Sequence, residues 1–133
     1  MRGLVPVGLL VACIVSTSSA LGTVVSFRTP SGNIGCIGET ARAGNTVRCD
    51  IRDRNWAPPP RPASWGQGLT LDRAGRPRFV CAGDTALNAS RVLAYGASRR
   101  IGGIVCASRR TGVTCTNPVG HGFTVSRERA RRF

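Results

Sequence analysis

Few side chains in this 133-residue chain are of types that do chemistry, and their spacing speaks more about covalent structure than about catalysis. The single histidine, His121, stands between Gly120 and Gly122, where the backbone can approach another group closely and present an imidazole from a turn. One imidazole builds no histidine-based metal site, and as a general acid or base it needs an orienting partner. Asp84, in Gly83-Asp84-Thr85, is the available carboxylate, although an aspartate in a glycine-flanked turn is first of all a turn residue. Tyr95 and Arg127 complete the candidate binding residues with Asp84 and His121. A Cys81 thiolate activated by His121 would be a hydrolase-like pair, but the run Arg78-Phe79-Val80-Cys81 reads as a strand that would bury and quiet the thiol. The 6 acidic residues have neither calcium-loop nor glycosidase spacing, and Ser31 in Pro30-Ser31-Gly32 lacks the G-x-S-x-G pattern of a nucleophile elbow. The expectation is no catalytic set, no metal site and no cofactor.

The compartment is read from the first twenty residues. Arg2, the apolar run from Leu4 to Val15 and the small residues Ser16 to Ala20 have the order of a secretory signal cleaved after Ala20, leaving residues 21–133 as one secreted domain. The run is shorter than the roughly 20 residues a spanning helix needs, and nothing later approaches that length, so no transmembrane span is expected. The alternative is lipoprotein processing through Leu10-Val11-Ala12-Cys13, with Cys13 carrying the lipid; against it, Ile14 and Val15 continue the apolar run where a polar tether belongs.

Removing residues 1–20 leaves Cys36, Cys49, Cys81, Cys106 and Cys115, an odd number, and in an exported chain these read first as disulfides. No two of them form a C-x-x-C pair, which argues against zinc. Ile104 to Ser108 and Val113 to Thr116 read as strands joined by the loop Arg109-Arg110-Thr111-Gly112, a register that sets Cys106 opposite Cys115. The same construction around Glu39 to Thr46 sets Cys36 opposite Cys49. Directly opposed residues of an antiparallel pair lie about 4.5 to 5.5 Å apart, a distance a disulfide accepts. Cys81 is then left as a free thiol.

The elements that must position these residues are short β-type runs between turns: Val24 to Arg28, Leu69 to Asp72, Arg78 to Ala82, Val92 to Tyr95, Ile101 to Cys106 and Phe123 to Ser126. Their spacing, with 17 glycines and 8 prolines, predicts an all-β fold: a small disulfide-stapled antiparallel sandwich or barrel. Asn55 to Gln67, with Pro58-Pro59-Pro60-Arg61-Pro62 at its centre and Trp56 and Trp65 near its ends, predicts an extended loop. Ser126 as an N-cap before Arg127-Glu128-Arg129-Ala130 predicts a short C-terminal helical turn.

Phe27-Arg28-Thr29-Pro30-Ser31-Gly32-Asn33-Ile34-Gly35-Cys36, Arg48-Cys49-Asp50-Ile51, the Trp56 and proline loop, Gly83-Asp84-Thr85, Leu93-Ala94-Tyr95-Gly96, Gly112-Val113-Thr114-Cys115-Thr116-Asn117, Gly120-His121-Gly122-Phe123 and Ser126-Arg127 together make a distinctive pattern. It resembles that of a family of small exported bacterial proteins carrying a domain of unknown function. The resemblance implies a secreted, disulfide-rich β domain and brings no activity or ligand. In the family pattern a further cysteine follows the proline loop, where this chain runs Arg61-Pro62-Ala63-Ser64-Trp65. Its absence implies that the third disulfide, the one to Cys81, is lost.

Charge is the strongest remaining signal. Nineteen basic residues, all of them arginine, against 6 acidic ones give a formal net charge of +13. The absence of lysine fits GC-rich coding and is no sign of phosphate recognition, but the excess of base attracts polyanions, with attraction falling as salt rises. The sparse aromatic residues do not interleave with the basic ones, which argues against nucleic acid. The expected function is that of a secreted, noncatalytic basic module binding anionic cell-envelope polymers or lipid head groups. The alternatives are a small secreted enzyme using His121 with Asp84 or Cys81, and an inhibitor-like protein acting on another exported protein.

Overall fold

The computed structural model describes residue 3 and residues 22–41, 44–60, 66–81 and 83–133. The expected leader lies outside these apart from residue 3, as do its cleavage after Ala20, the lipid attachment at Cys13, and residues 61–65 of the proline loop. No described residue is helical. Two five-stranded antiparallel sheets account for the regular structure, each a meander in sequence order. The first comprises β1 (Thr23–Arg28), β2 (Ile34–Ala41), β3 (Gly44–Ile51), β4 (Gly68–Asp72) and β5 (Arg78–Phe79). The second comprises β6 (Ser98–Ile101), β7 (Ile104–Arg109), β8 (Gly112–Thr116), β9 (Gly122–Val125) and β10 (Ala130–Arg132). Their apolar faces share one core, so the architecture is a sandwich rather than a barrel.

Alternation of side chains decides which faces meet. On β3, Val47, Cys49 and Ile51 are buried on the inner face, while Thr46, Arg48 and Asp50 alternate onto the outer one, where the loop after β5 covers Asp50. On β8 and β9, Val113, Cys115, Phe123 and Val125 are fully buried. Both expected registers are present: Cys36 faces Cys49 and Cys106 faces Cys115. Each pair is a disulfide, with Cα atoms 4.1 Å and 4.0 Å apart, the close spacing of directly opposed residues. Because all four cysteines point inward, the bridges meet between the sheets, with Cys49 Sγ 3.8 Å from Cys115 Sγ.

Several expectations are corrected. Cys81 is disulfide-bonded and not a free thiol. The other four described cysteines are paired with one another, so the partner of Cys81 lies outside the described residues. The run expected over Ile101 to Cys106 is two strands, broken by a turn at Gly102, whose positive φ of 58° side chains rarely tolerate. Val92 to Tyr95 is no strand: Val92 makes one parallel bridge to Arg28 at the edge of β1. The C-terminal helical turn is replaced by a β-hairpin. Ser126 accepts at Oγ from the Arg129 amide at 3.2 Å, and its own amide donates to the Arg129 carbonyl, so this polar residue closes a turn and β10 pairs back onto β9.

Replacing Cys115 by Ser should destabilise the protein by about 2 to 5 kcal/mol in denaturant unfolding. A loss below about 1 kcal/mol would show that the bridge adds little to a core already complete without it.

Candidate functional site

Because each sheet is a meander, its connections fall alternately at the two ends of the sandwich. At one end lie the β1–β2 turn, the exit from β3, the β7–β8 turn and the β9–β10 turn. The crossing segment from Leu93 to Ala97 joins them, held to β7 by hydrogen bonds from the Gly96 amide to the Ser108 carbonyl and from the Ser108 amide to the Ala97 carbonyl. Together they wall a cleft of about 400 Å³. Its charged lining is Arg109, Arg110 and Arg127 against Asp53 and Glu128, with Tyr95, Ser31 and Asn33 beside them.

The backbone under this cleft is tied down. Asn33 Nδ2 donates to the Asp53 carbonyl, and the Asp53 amide donates to Asn33 Oδ1 at 2.8 Å, joining the β1–β2 turn to the end of β3. The Asn55 amide donates to the Arg127 carbonyl at 2.7 Å, and Trp56 Nε1 donates to the Ser126 carbonyl at 2.8 Å. Trp56 is itself packed against the core, with Phe79 at a centroid distance of 6.1 Å. The proline loop thus begins with an anchor across the sandwich. The charged tips are different: among the described residues none of Arg109, Arg110, Arg127, Asp53 and Glu128 forms an ion pair. Arg110 instead lies over the Tyr95 ring, 5.1 Å from its centroid.

Of the four residues singled out in the sequence, Tyr95 and Arg127 come together here, and Asp84 and His121 do not. Asp84 lies on the loop after β5 that covers the outer face of the first sheet. It accepts from Arg48 Nη1 at 2.7 Å, and Arg48 also donates from Nη2 and Nε to the buried Asp50, at 2.7 and 3.0 Å. Asp50 further accepts from the Ala86 amide at 2.9 Å. The loop sits so close that a Cβ on Gly35 would collide with the Ala86 carbonyl oxygen. The hydrogen bond from Arg48, reinforced by its charge, holds the Asp84 carboxyl below its ordinary value. His121 lies at the opposite end of the sandwich, a β8 length of roughly 14 Å from the cleft. Its amide donates to Asn117 Oδ1, and the Asn117 side chain reaches the Asp72 and Gly75 carbonyls of the first sheet. No hydrogen bond joins His121 to Asp84 among the described residues.

Arg109, Arg110, Asp53 and Glu128 had no signal in the sequence beyond loop positions, because their convergence depends on four connections separated along the chain. No group of three or more His, Cys, Asp or Glu among the described residues could hold a metal ion. No helix among them is long and apolar enough to cross a membrane.

Fold and cleft define a disulfide-stapled β sandwich with a polar, arginine-lined end. The chain belongs to the family of unknown function DUF6636, whose pattern covers residues 7–133. No curated protein and no solved structure matches it.

Asp50→Ala should cost about 3 kcal/mol in urea unfolding at neutral pH, since it strips the buried acceptor from Arg48 and from the Ala86 amide. Asp84→Asn, at an exposed carboxylate, should cost less than about 1 kcal/mol. Asp84 has a depressed folded-state pKa, so its contribution is present above the ordinary value of 3.8 and is lost as pH falls through the lower folded one. The gap between the wild type and Asp84→Asn should therefore close in strong acid. Equal losses for the two variants at neutral pH would contradict this division of labour.

Proposed function

We propose that this protein is an exported, noncatalytic basic module that associates with anionic polymers of the cell envelope. The observation that carries the reading is the net charge of +13 together with a cleft whose three arginines are paired with no carboxylate. Charge of this size attracts any polyanion at long range, and unpaired guanidiniums on a tied-down backbone give that attraction a place to act. Disulfides form and persist in oxidising compartments, which supports export. The enzyme alternative draws no support from geometry: His121 is far from the cleft, Asp84 is engaged with Arg48, and the Cys81 sulfur is in a disulfide.

Co-sedimentation with purified bacterial cell walls and with vesicles of anionic lipid, over a salt series, tests the reading. Binding to walls at low salt that declines steeply as salt rises is expected. Absence of binding at low salt, binding indifferent to salt, or binding to the vesicles alone would overturn it.

A further inference from the structure

We infer that the cleft between the β1–β2, β7–β8 and β9–β10 turns is a seat for a carboxylate-bearing saccharide unit, the repeating chemistry of an acidic polysaccharide. The inference rests on the proposed function and narrows it from the whole surface to one end of the sandwich.

The lining is of mixed sign, and this is what discriminates among anions. Across the whole chain base exceeds acid about threefold, yet in the cleft three guanidiniums stand beside two carboxylates. A dense polyphosphate would gain from Arg109, Arg110 and Arg127 but meet repulsion from Asp53 and Glu128. A sugar acid presents one carboxylate, which the planar guanidinium fork matches with paired hydrogen bonds, and several hydroxyls, which carboxylates accept well. Asp53 and Glu128 then become ligands and not obstacles.

Four further observations fit the same ligand. The opposite charges in the cleft have not neutralised one another, so their hydrogen-bonding capacity remains open to a guest. Tyr95 is half-buried and already carries Arg110 over its ring, which holds that guanidinium in place before any ligand arrives. The cleft volume of about 400 Å³ lies within the range that holds small ligands, which suits one or two sugar units. The reciprocal Asn33 and Asp53 hydrogen bonds and the Asn55 bond to the Arg127 carbonyl fix the walls, so little ordering remains to be done on binding.

The test is titration of the full chain with an oligogalacturonate, with its methyl ester as a neutral counterpart and with a linear polyphosphate. The double variants are Arg110→Gln with Arg127→Gln in the cleft, and Arg73→Gln with Arg76→Gln in the β4–β5 turn at the opposite end. The two carry the same net charge, and all four residues are exposed, so neither variant disturbs the core. The expected result is salt-sensitive binding of the oligogalacturonate, at least tenfold weaker in the cleft variant and changed less than about twofold in the distal one. The ester should not bind, and amide shifts on the wild type should centre on Tyr95, Gly112 and Arg127. Equal weakening by both variants would overturn the seat and leave the broader polyanion reading standing. Polyphosphate bound more tightly than the saccharide, and lost in the cleft variant, would overturn the ligand class. No binding of either polymer at low salt would overturn both readings.

Discussion

Two disulfides in contact across the middle of the sandwich are the constraint from which the rest follows. Each links directly opposed residues of one hairpin, and each lies on the inward face, so the four sulfurs meet where the two sheets must pack. A one-residue slip in either hairpin would turn its cysteines outward and expose its apolar set, so register and sheet stacking are fixed together. The core around the bridges is small: Phe123 and Phe27 are its large aromatics, and the rest is Ile, Leu and Val. Closing loops of 13 and 9 residues stabilises by about 3 kcal/mol each on the chain-entropy account, comparable with much of the net stability of a small domain.

Fixed registers also decide what the ends of the sandwich present. β1, β7 and β9 each deliver a turn at the cleft end, with Arg109 at the end of β7, Arg110 in the turn after it and Arg127 in the turn after β9. At the far end Asn117 satisfies both its donors and its acceptor across the two sheets, closing that end with a fully bonded amide. The edge strands carry charge as well: Arg99 and Arg100 on β6, and Arg131 and Arg132 on β10, keep exposed ladder groups from pairing with another chain. Part of the basic surplus therefore sits on the edges of the second sheet, apart from the cleft arginines.

What could be read in advance divides along the range of the interactions. The hairpins around Cys36–Cys49 and Cys106–Cys115 were legible because alternation, turn length and cysteine spacing are all local and agree. The strand Ser98–Ile101 was hidden because three of its four residues are exposed and show no apolar alternation. Ala130–Arg132 was hidden behind a serine that caps a helix and closes a hairpin by similar bonds. Arg48 gave no hint of its place: it stands between two core residues of β3, and its partner Asp84 lies 36 positions away. For the cleft, Tyr95 and Arg127 were singled out separately, but their meeting depends on two sheets folding against each other. Cys81 follows β5 and has no cysteine opposite it in a described hairpin, so no local spacing announces its bond.

Contact between the two bridges makes the sheets one cooperative unit. Hydrogen exchange of the intact protein measures this directly, through the amides of β3 and β8 that flank the sulfur contact. These amides should be the slowest in the protein and open with one shared free energy, equal to that of global unfolding. Exchange of the β3 amides through a partial opening while those of β8 stay protected, or the reverse, would show that the sheets are separate units and that the sulfur contact does not couple them.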